Sequence, residues 1–298
     1  MTVTDNSISI LDHVSGAIRY NMTNDFMFKS VLQKNNHVLV RLLSSLLHLK
    51  ETDILSAVIT NPIKPGDTID AKTVILDVHI LMNDKTQVNL EMQVINYKNW
   101  IDRSTYYLCR NFTSLKKGEE YKDTMPCYQI GFLDYTLFPK APEFYATYLL
   151  MNRRTHQVYN DKLRLSVVCL SEIDLATEED RYHQVDVWAR LFKATTWEEL
   201  KMLSTNDSIF QEAGAAMYEI SEDERMQQIL EAREDARRNE SSLRNYYMQE
   251  IRKELQGRID EAVAERDAAI AEKQKLLSER DALQGMLENY QQKFGLLE

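Results

Sequence analysis

Two carboxylates with a fixed spacing, Asp77 and Glu91, are the residues of this sequence best suited to chemistry. Each belongs to a segment in which apolar residues occupy the even positions and polar residues the odd ones, which is typical of a strand with one buried face. The two segments, 73–82 and 87–95, follow each other closely and predict an antiparallel hairpin. If the turn is centred on Asp84, Asp77 lies directly opposite Glu91.

Facing carboxylates repel each other unless a cation lies between them, and a hard ion such as Mg²⁺ or Mn²⁺ prefers oxygen ligands. The pair therefore predicts a metal site. The backbone carbonyl of Met92 can supply a third oxygen, and Gln93 shares the face of Glu91 and can orient a water molecule. Such a metal can activate the water and offset the charge of a phosphodiester. A half-exposed hairpin also turns carboxylates outward for structural reasons alone, so both interpretations stay open.

The elements around this hairpin must position its polar face, and their patterns predict an α/β fold. Helical periodicity predicts a long helix from Asn24 to about His48, with Thr23, Asn24 or Asp25 as its N-cap. A second helix is predicted for residues 98–117. Strands are predicted for 53–60, 126–133, 144–151 and 163–170, and mostly helical structure for 178–218.

Together these residues resemble the PD-(D/E)XK nuclease superfamily and, within it, the recombination-promoting nuclease or putative transposase group. The resemblance covers roughly residues 20–135. The segments that carry it are Asn24 to Lys29, Asp77, Glu91-Met92-Gln93, the Arg103 to Tyr107 helix, Leu115 to Tyr121 and Pro126 to Ile130.

The resemblance implies a Mg²⁺-dependent DNA endonuclease with a restriction-endonuclease-like core, a mixed sheet flanked by helices. It also implies that Asp77 and Glu91 ligate the metal. Gln93 stands where the wider superfamily has lysine, although glutamine here is similar to the narrower group, so the activation of water stays open. Arg103 and Tyr107 look like the Gln-x-x-x-Tyr element of related nucleases, with arginine in place of glutamine.

A stripe of basic and aromatic residues on the helix after the hairpin is a candidate DNA contact. Its members recur at helical spacing and are Arg103, Tyr107, Arg110 and Lys117. The cations can follow a phosphate backbone while the tyrosine stacks, although a charged helix face is commonly just hydrated.

Three residues near the predicted site have two interpretations each. Asp25 can supply a further acid or cap its helix. Lys29 can approach a phosphate or lie on the solvated side of the same helix. His79 shares the acidic face, but a single histidine on a strand is more often half-exposed.

The end of the chain has a different pattern, because it lacks proline from Ser221 onward and repeats apolar residues at spacings of four and three. These residues are Leu255, Ile259, Ala262, Ala269, Leu276, Leu283, Leu287, Tyr290, Phe294 and Leu297. They predict a coiled coil, and Arg266, Lys273 and Arg280 in the same register favour two strands. Self-association is the default, so we expect a homodimer, with another protein as the alternative partner.

These patterns predict four regions. They are a loosely held N-terminal arm (1–22), a nuclease-like domain (23–172), a helical extension (173–220) and a C-terminal coiled coil (221–298).

Composition limits the remaining functions. A formal net charge of −10 makes non-specific DNA binding weak, so any DNA contact needs a local patch. The three widely spaced cysteines, Cys109, Cys127 and Cys169, predict a reducing, cytoplasmic location, and no apolar run predicts contact with a membrane. The phosphate-loop and dinucleotide motifs are absent, so no nucleotide cofactor is expected. The alternatives to a nuclease are a catalytically inactive DNA-binding or scaffolding protein that works through its coiled coil, and a pure protein-interaction adaptor.

Overall fold

A six-stranded mixed sheet organises the first part of the molecule, which we describe from a computed structural model. The structure describes residues 10–63, 77–112, 118 and 120–295. The order of the strands is β1-β2-β3-β4-β6-β5, in which β3, β4 and β6 are parallel and the other pairs are antiparallel. The strands are β1 (Ala57–Ile59), β2 (Val78–Met82), β3 (Thr86–Gln93), β4 (Cys127–Leu133), β5 (Tyr145–Met151) and β6 (Val158–Cys169).

Helices flank this sheet, which confirms the predicted restriction-endonuclease-like α/β fold. They are α1 (Asp25–Lys34), α2 (Asn36–Leu47), α3 (Trp100–Phe112), α4 (Glu178–Tyr182), α5 (Val185–Lys193), α6 (Trp197–Ser204), α7 (Ser208–Glu222) and α8 (Glu224–Phe294). Short 3₁₀ helices cover Glu51–Asp53, Tyr121–Asp123 and Leu170–Leu175.

The β2–β3 hairpin has the predicted register. Val78 lies opposite Leu90 and Met82 lies opposite Thr86. Asn83 and Asp84 form the turn with φ values of 52° and 53°, a left-handed conformation that asparagine and aspartate tolerate better than most residues. The predicted first strand was longer, but its residues 73–76 lie outside the described part of the chain.

The predicted long helix from Asn24 to His48 was wrong in one respect, because the chain forms two helices there. Asn35 between α1 and α2 has an extended backbone (φ −132°), and its side chain accepts the backbone N–H groups of His37 and Val38. A side chain that caps a new helix competes with continuation of the old one. The first helix is capped in the same way by Asn24.

The two faces of the sheet pack against different helices. On the even-numbered face, Phe28 of α1, Phe132 of β4 and Phe192 of α5 meet edge to face, with ring centroids 5.2–5.5 Å apart. On the odd-numbered face, α3 packs through Trp100. A Cβ atom on Gly131 would lie 2.0 Å from the Trp100 ring, so this close approach of α3 requires glycine in β4.

Residues 10–22 are held more firmly than the predicted loose arm. Leu11, Tyr20 and Met22 are buried in the same core as α1 and α7. Ala17 forms an isolated bridge with Thr196, immediately before α6. Sequence periodicity did not show this because the burial of the segment depends on contacts with residues far away in the chain.

The described residues divide into two compact units, one up to Arg237 and one from Arg238 onward. The first turns of α8 belong to the first unit, where Leu230 is fully buried. The second unit continues the helix to Phe294, as predicted, and Leu297 lies outside the described residues. Among the helices of the described ranges, none combines the length and apolar composition needed to cross a membrane.

Candidate active site

Glu91 lies on the odd-numbered face of β3, beneath α3. It is buried, with only 4% of its surface exposed. Its Oε1 lies 2.6 Å from an Nη atom of Arg103, and its Oε2 accepts a hydrogen bond of 3.3 Å from Gln129 of β4. Gln129 in turn accepts a bond of 2.9 Å from Asn89, so the polar face forms one connected network.

The surroundings of Glu91 raise the pKa of its carboxyl, so that its neutral and charged forms are both populated near neutral pH. Burial raises its pKa to about 7, against the opposing effect of the Arg103 guanidinium. The negative charge of Asp77 raises the pKa further, while His79 and the hydrogen bond from Gln129 lower it. The Asp77 carboxylate is therefore close enough to affect the charge of Glu91.

Asp77 precedes β2 directly and is half-buried. Its Oδ2 lies 2.5 Å from Nε2 of His79. Its backbone carbonyl accepts hydrogen bonds of 3.0 Å from both Lys29 and Asn61. Asn61 also accepts the backbone N–H of His79, so the start of β2 is fixed from several sides.

Lys29 is part of this site, because its Nζ reaches the backbone carbonyl of Asp77. The alternative of a solvated lysine was wrong, since only 4% of the residue surface is exposed. His79, which the sequence favoured as a half-exposed strand residue, is partly exposed but contacts the Asp77 carboxylate. The structure thus brings Lys29, Asp77 and His79 together at the open end of the hairpin.

Gln93 lies two residues beyond Glu91 on the same face and is buried. Its amide nitrogen donates to the backbone carbonyl of Ile95 (3.1 Å) and to the Tyr135 hydroxyl (3.3 Å). Its Oε1 and the Oδ1 of Asn89 are buried and have no hydrogen-bond partner among the described residues. Buried acceptors of this kind are normally satisfied by a donor or a cation, so both oxygens suit a water or metal site.

The backbone of β3 orients the carbonyl of Met92. The N–H of Gln87 donates to Pro126, next to β4, which shows that odd residues of β3 direct their backbone groups toward β4. Even residues such as Met92 therefore direct theirs toward the β2 side, where Asp77 precedes the strand. Carboxylate, backbone carbonyl and amide oxygens are the donor types that hard divalent ions such as Mg²⁺ and Mn²⁺ prefer.

The predicted basic stripe of α3 forms a stack that runs from the buried face outward. The guanidinium carbon of Arg103 lies 5.6 Å from the Tyr107 ring centroid, and that of Arg110 lies 4.8 Å from it. Arg103 is turned toward Glu91, whereas Arg110 is exposed. Lys117, the fourth member, lies outside the described residues.

Asp25 does not cap α1, as one interpretation of the sequence had it, because Asn24 accepts the first free N–H groups. The Asp25 carboxylate accepts the backbone N–H of Phe26 and forms an ion pair with Arg233 in the first turns of α8, where Nε of Arg233 lies 3.3 Å from its Oδ1. This carboxylate connects α1 to α8, and its role as a further acid stays a prediction.

Several residues of the site were not singled out from the sequence. Gln129 carried a usable signal, because it is a polar residue inside the otherwise apolar strand β4. Gly131 carried another, since glycine inside a strand often marks a close approach of another element. Asn61 directly precedes a proline, and its hydrogen bond to Asp77 depends on the tertiary structure rather than on a local pattern.

A cavity of about 220 Å³ adjoins the polar face. Its lining includes His79 of β2, Asn89 of β3 and Asn111 near the end of α3. The cavity lies beside the carboxylate network and provides room for a small polar group next to it.

The mixed sheet, its flanking helices and the acidic face of β3 define a protein of the restriction-endonuclease-like class. The sequence model of the PD-(D/E)XK nuclease family transposases matches residues 22–246, which is well over half of the chain. The chain therefore belongs to this family, which confirms the resemblance and extends it beyond residue 135 to the first part of α8. Comparison with curated proteins and with solved structures gives no match. Family membership indicates a function related to nucleases and transposition.

Proposed function

We propose that this protein is a Mg²⁺- or Mn²⁺-dependent DNA endonuclease that acts in DNA recombination or transposition. The observation that carries the proposal is the register of the β2–β3 hairpin. It places Asp77 and Glu91 on one polar face, where the charge of the first raises the pKa of the second. Two coupled carboxylates beside unsatisfied buried oxygens are a suitable site for a hard divalent cation.

In this proposal Asp77, Glu91 and the carbonyl of Met92 hold the metal. The bound ion supplies Lewis acidity, which makes a water more acidic and offsets charge on the phosphodiester. Gln93 accepts a hydrogen bond from that water through its buried Oε1 and so orients it. Lys29 adds positive charge beside Asp77, where it can attract a phosphate group.

Arg103 has two roles in this proposal. Its ion pair with Glu91 compensates the buried carboxylate in the metal-free protein. Its stack with Tyr107 and Arg110 leads from the site to the surface of α3, where Arg110 can contact the DNA backbone. Lys117 follows on the same predicted helix and is proposed as a further DNA contact.

A homodimer through the C-terminal helix would pair two such sites and increase the affinity of a protein whose net charge is −10. The exposed apolar residues of that helix support this arrangement. The cysteines of the described residues are all free, which supports a reducing compartment such as the cytoplasm.

Two observations favour the alternative, a catalytically inactive DNA-binding or scaffolding protein. Arg103 already pairs with Glu91, and Gln93 replaces the lysine of the wider superfamily. If arginine permanently neutralises Glu91, the protein binds DNA without cutting it and works through its coiled coil.

Plasmid cleavage tests the proposal directly. We expect purified protein to nick or linearise supercoiled DNA with Mg²⁺ or Mn²⁺ and to stop when EDTA is added. Asp77→Asn and Glu91→Gln should each lower the rate by about 10²- to 10³-fold. Asp84→Asn is the matched control, because it removes an exposed carboxylate from the turn of the same hairpin and should leave the rate unchanged. Cutting that persists in EDTA or in both site variants contradicts the mechanism, and DNA binding without cleavage under either metal supports the inactive alternative.

A further inference from the structure

Two histidines and a glutamate meet on the side of the molecule where α2 ends. His48 terminates α2 in a left-handed conformation (φ 54°). Glu179 lies in α4. His183 is four residues after Glu179 and directly follows the end of that helix. One ligand atom from each of the three residues lies within 4.8 Å of those of the other two.

We propose that His48, Glu179 and His183 form a second metal site, which binds a divalent ion of borderline softness such as Zn²⁺. Two imidazoles and one carboxylate are a donor set that zinc uses in proteins, commonly with a water in the fourth position. The Asp77–Glu91 face offers mainly oxygen donors, with the His79 imidazole beside Asp77, and suits a harder ion. The two sites therefore differ in the metal that they prefer, and the second does not depend on the proposed nuclease chemistry.

The geometry requires only small movements of side chains. Nδ1 of His48 lies 3.3 Å from Oε1 of Glu179, close to the separation of about 3.4 Å expected for two ligands of a tetrahedral zinc ion. The His48 and His183 rings are stacked in parallel with centroids 4.0 Å apart, so one ring must turn before both nitrogens can point at one ion. The side chain of Glu179 is 71% exposed, and it and His183 are four residues apart, so both can adjust without moving the backbone.

His48 is the fixed member of the cluster. Its ring also packs edge to face against Tyr145 of β5, with centroids 5.8 Å apart. Its Nε2 is buried and has no hydrogen-bond partner among the residues that the structure describes. Because Nε2 is buried and Nδ1 faces Glu179, Nδ1 is the atom that His48 would offer to a metal.

A metal at this place would tie the end of α2 to α4. Such a link stabilises the folded chain by an amount that rises with the logarithm of the ratio of free metal to its dissociation constant. Stacked histidines held only by packing would show no such dependence on metal.

Metal binding to the full-length chain tests the proposal. After EDTA treatment and dialysis, Zn²⁺ is titrated calorimetrically into Asp77→Asn/Glu91→Gln protein, which removes the oxygen site from the measurement. We expect about one equivalent to bind, with an affinity at least about 10-fold lower after His183→Ala or Glu179→Ala. His13→Ala, at another exposed histidine, is the matched control and should have no effect. Substitution with Co²⁺ should give visible absorption bands that disappear in His183→Ala.

The two substitutions lie at or near the surface, so loss of folding is not expected, and circular dichroism verifies it for each variant. Absence of stoichiometric Zn²⁺ binding overturns the proposal, as does binding that survives both substitutions. Neither result affects the nuclease proposal, which the plasmid assay tests separately.

Discussion

Two regions of the molecule depart from the usual distribution of residues. The polar face of β3 buries polar side chains, and the helix from Arg238 onward exposes apolar ones. In the first, Asn89, Glu91 and Gln93 are buried in a folded core. In the second, apolar residues at regular spacing are exposed, with 59% of Leu276 and 67% of Leu283 accessible. Most proteins bury the second kind of residue and expose the first.

Each region has a surface suited to binding, but the two differ in how they affect the free energy of folding of the single chain. Buried polar groups are desolvated on folding, so their interactions with Arg103 and Gln129 must offset that loss within the chain. Exposed leucines on a helix cost little in a single chain and gain free energy only when another surface covers them. Substitutions in the first region should therefore change the stability of the chain, and substitutions in the second should change its association.

The largest effect is expected on self-association, from a substitution in the helix from Arg238 onward. Leu276→Lys places a charge on the predicted seam, and in a homodimer it removes two buried leucines at about 1.5–3 kcal/mol each. The dissociation constant of the dimer should then rise by at least about 100-fold. Ser278→Lys adds the same charge two residues later, off the seam, and should leave association unchanged. Sedimentation equilibrium measures both, and a single-chain mass for the unaltered protein would contradict the coiled-coil dimer.

The next effect concerns Arg103. Arg103→Met leaves Glu91 without its cation and raises the pKa of that carboxyl further. At pH 8 the buried carboxyl must then either carry a charge without a cation beside it or take up a proton, and we expect a loss of about 3 kcal/mol in the free energy of unfolding. At pH 5 the carboxyl is neutral and the loss should be smaller. Denaturant unfolding measures both, and adding Glu91→Gln should restore most of the loss at pH 8; equal losses at both pH values would show that Arg103 acts only through packing.

Much of the candidate site was predictable because it depends on local patterns. The alternation around Asp77 and Glu91 fixed both the shared face and the register, since side chains of a strand alternate with a period of two. The heptad spacing likewise predicted a helix through the end of the described chain.

Local patterns could not show how deeply each polar side chain is buried or which residues it contacts. Arg103 was predicted as a candidate DNA contact, and Lys29 as a residue that approaches either phosphate or solvent, yet both lie beside the Asp77–Glu91 face. Their positions depend on how α3 and α1 pack on the sheet, which involves contacts between residues far apart in the chain. The order of the strands and the contact of Asp25 with Arg233 have the same origin.

A smaller effect is expected from two glycines, one in each region. Gly131→Ala places a Cβ against the Trp100 ring and should destabilise the chain by about 2 kcal/mol, because α3 must move away from the sheet. Gly257→Ala lies in the exposed helix, has no atom within 4 Å of the new Cβ, and should stabilise that helix by about 0.5–1 kcal/mol. Thermal unfolding followed by circular dichroism measures both. Effects of the same sign would contradict the difference in packing between the two regions.

The last prediction concerns how the free energy of unfolding depends on pH in metal-free buffer. Burial raises the pKa of Glu91 from 4.5 to about 7, so between these values the folded chain binds more protons than the unfolded chain. Stability from this group is therefore complete below pH 4.5 and is lost as the pH rises through 7, a change of about 3 kcal/mol. Glu91→Gln cannot titrate, so the difference in unfolding free energy between it and the unaltered protein should grow over this range and level off above it. Asp84→Asn changes the same net charge at an exposed position and provides the control. A difference that is constant from pH 4.5 to 8 would mean that Glu91 is charged throughout, as in a permanent pair with Arg103, and would favour the inactive alternative.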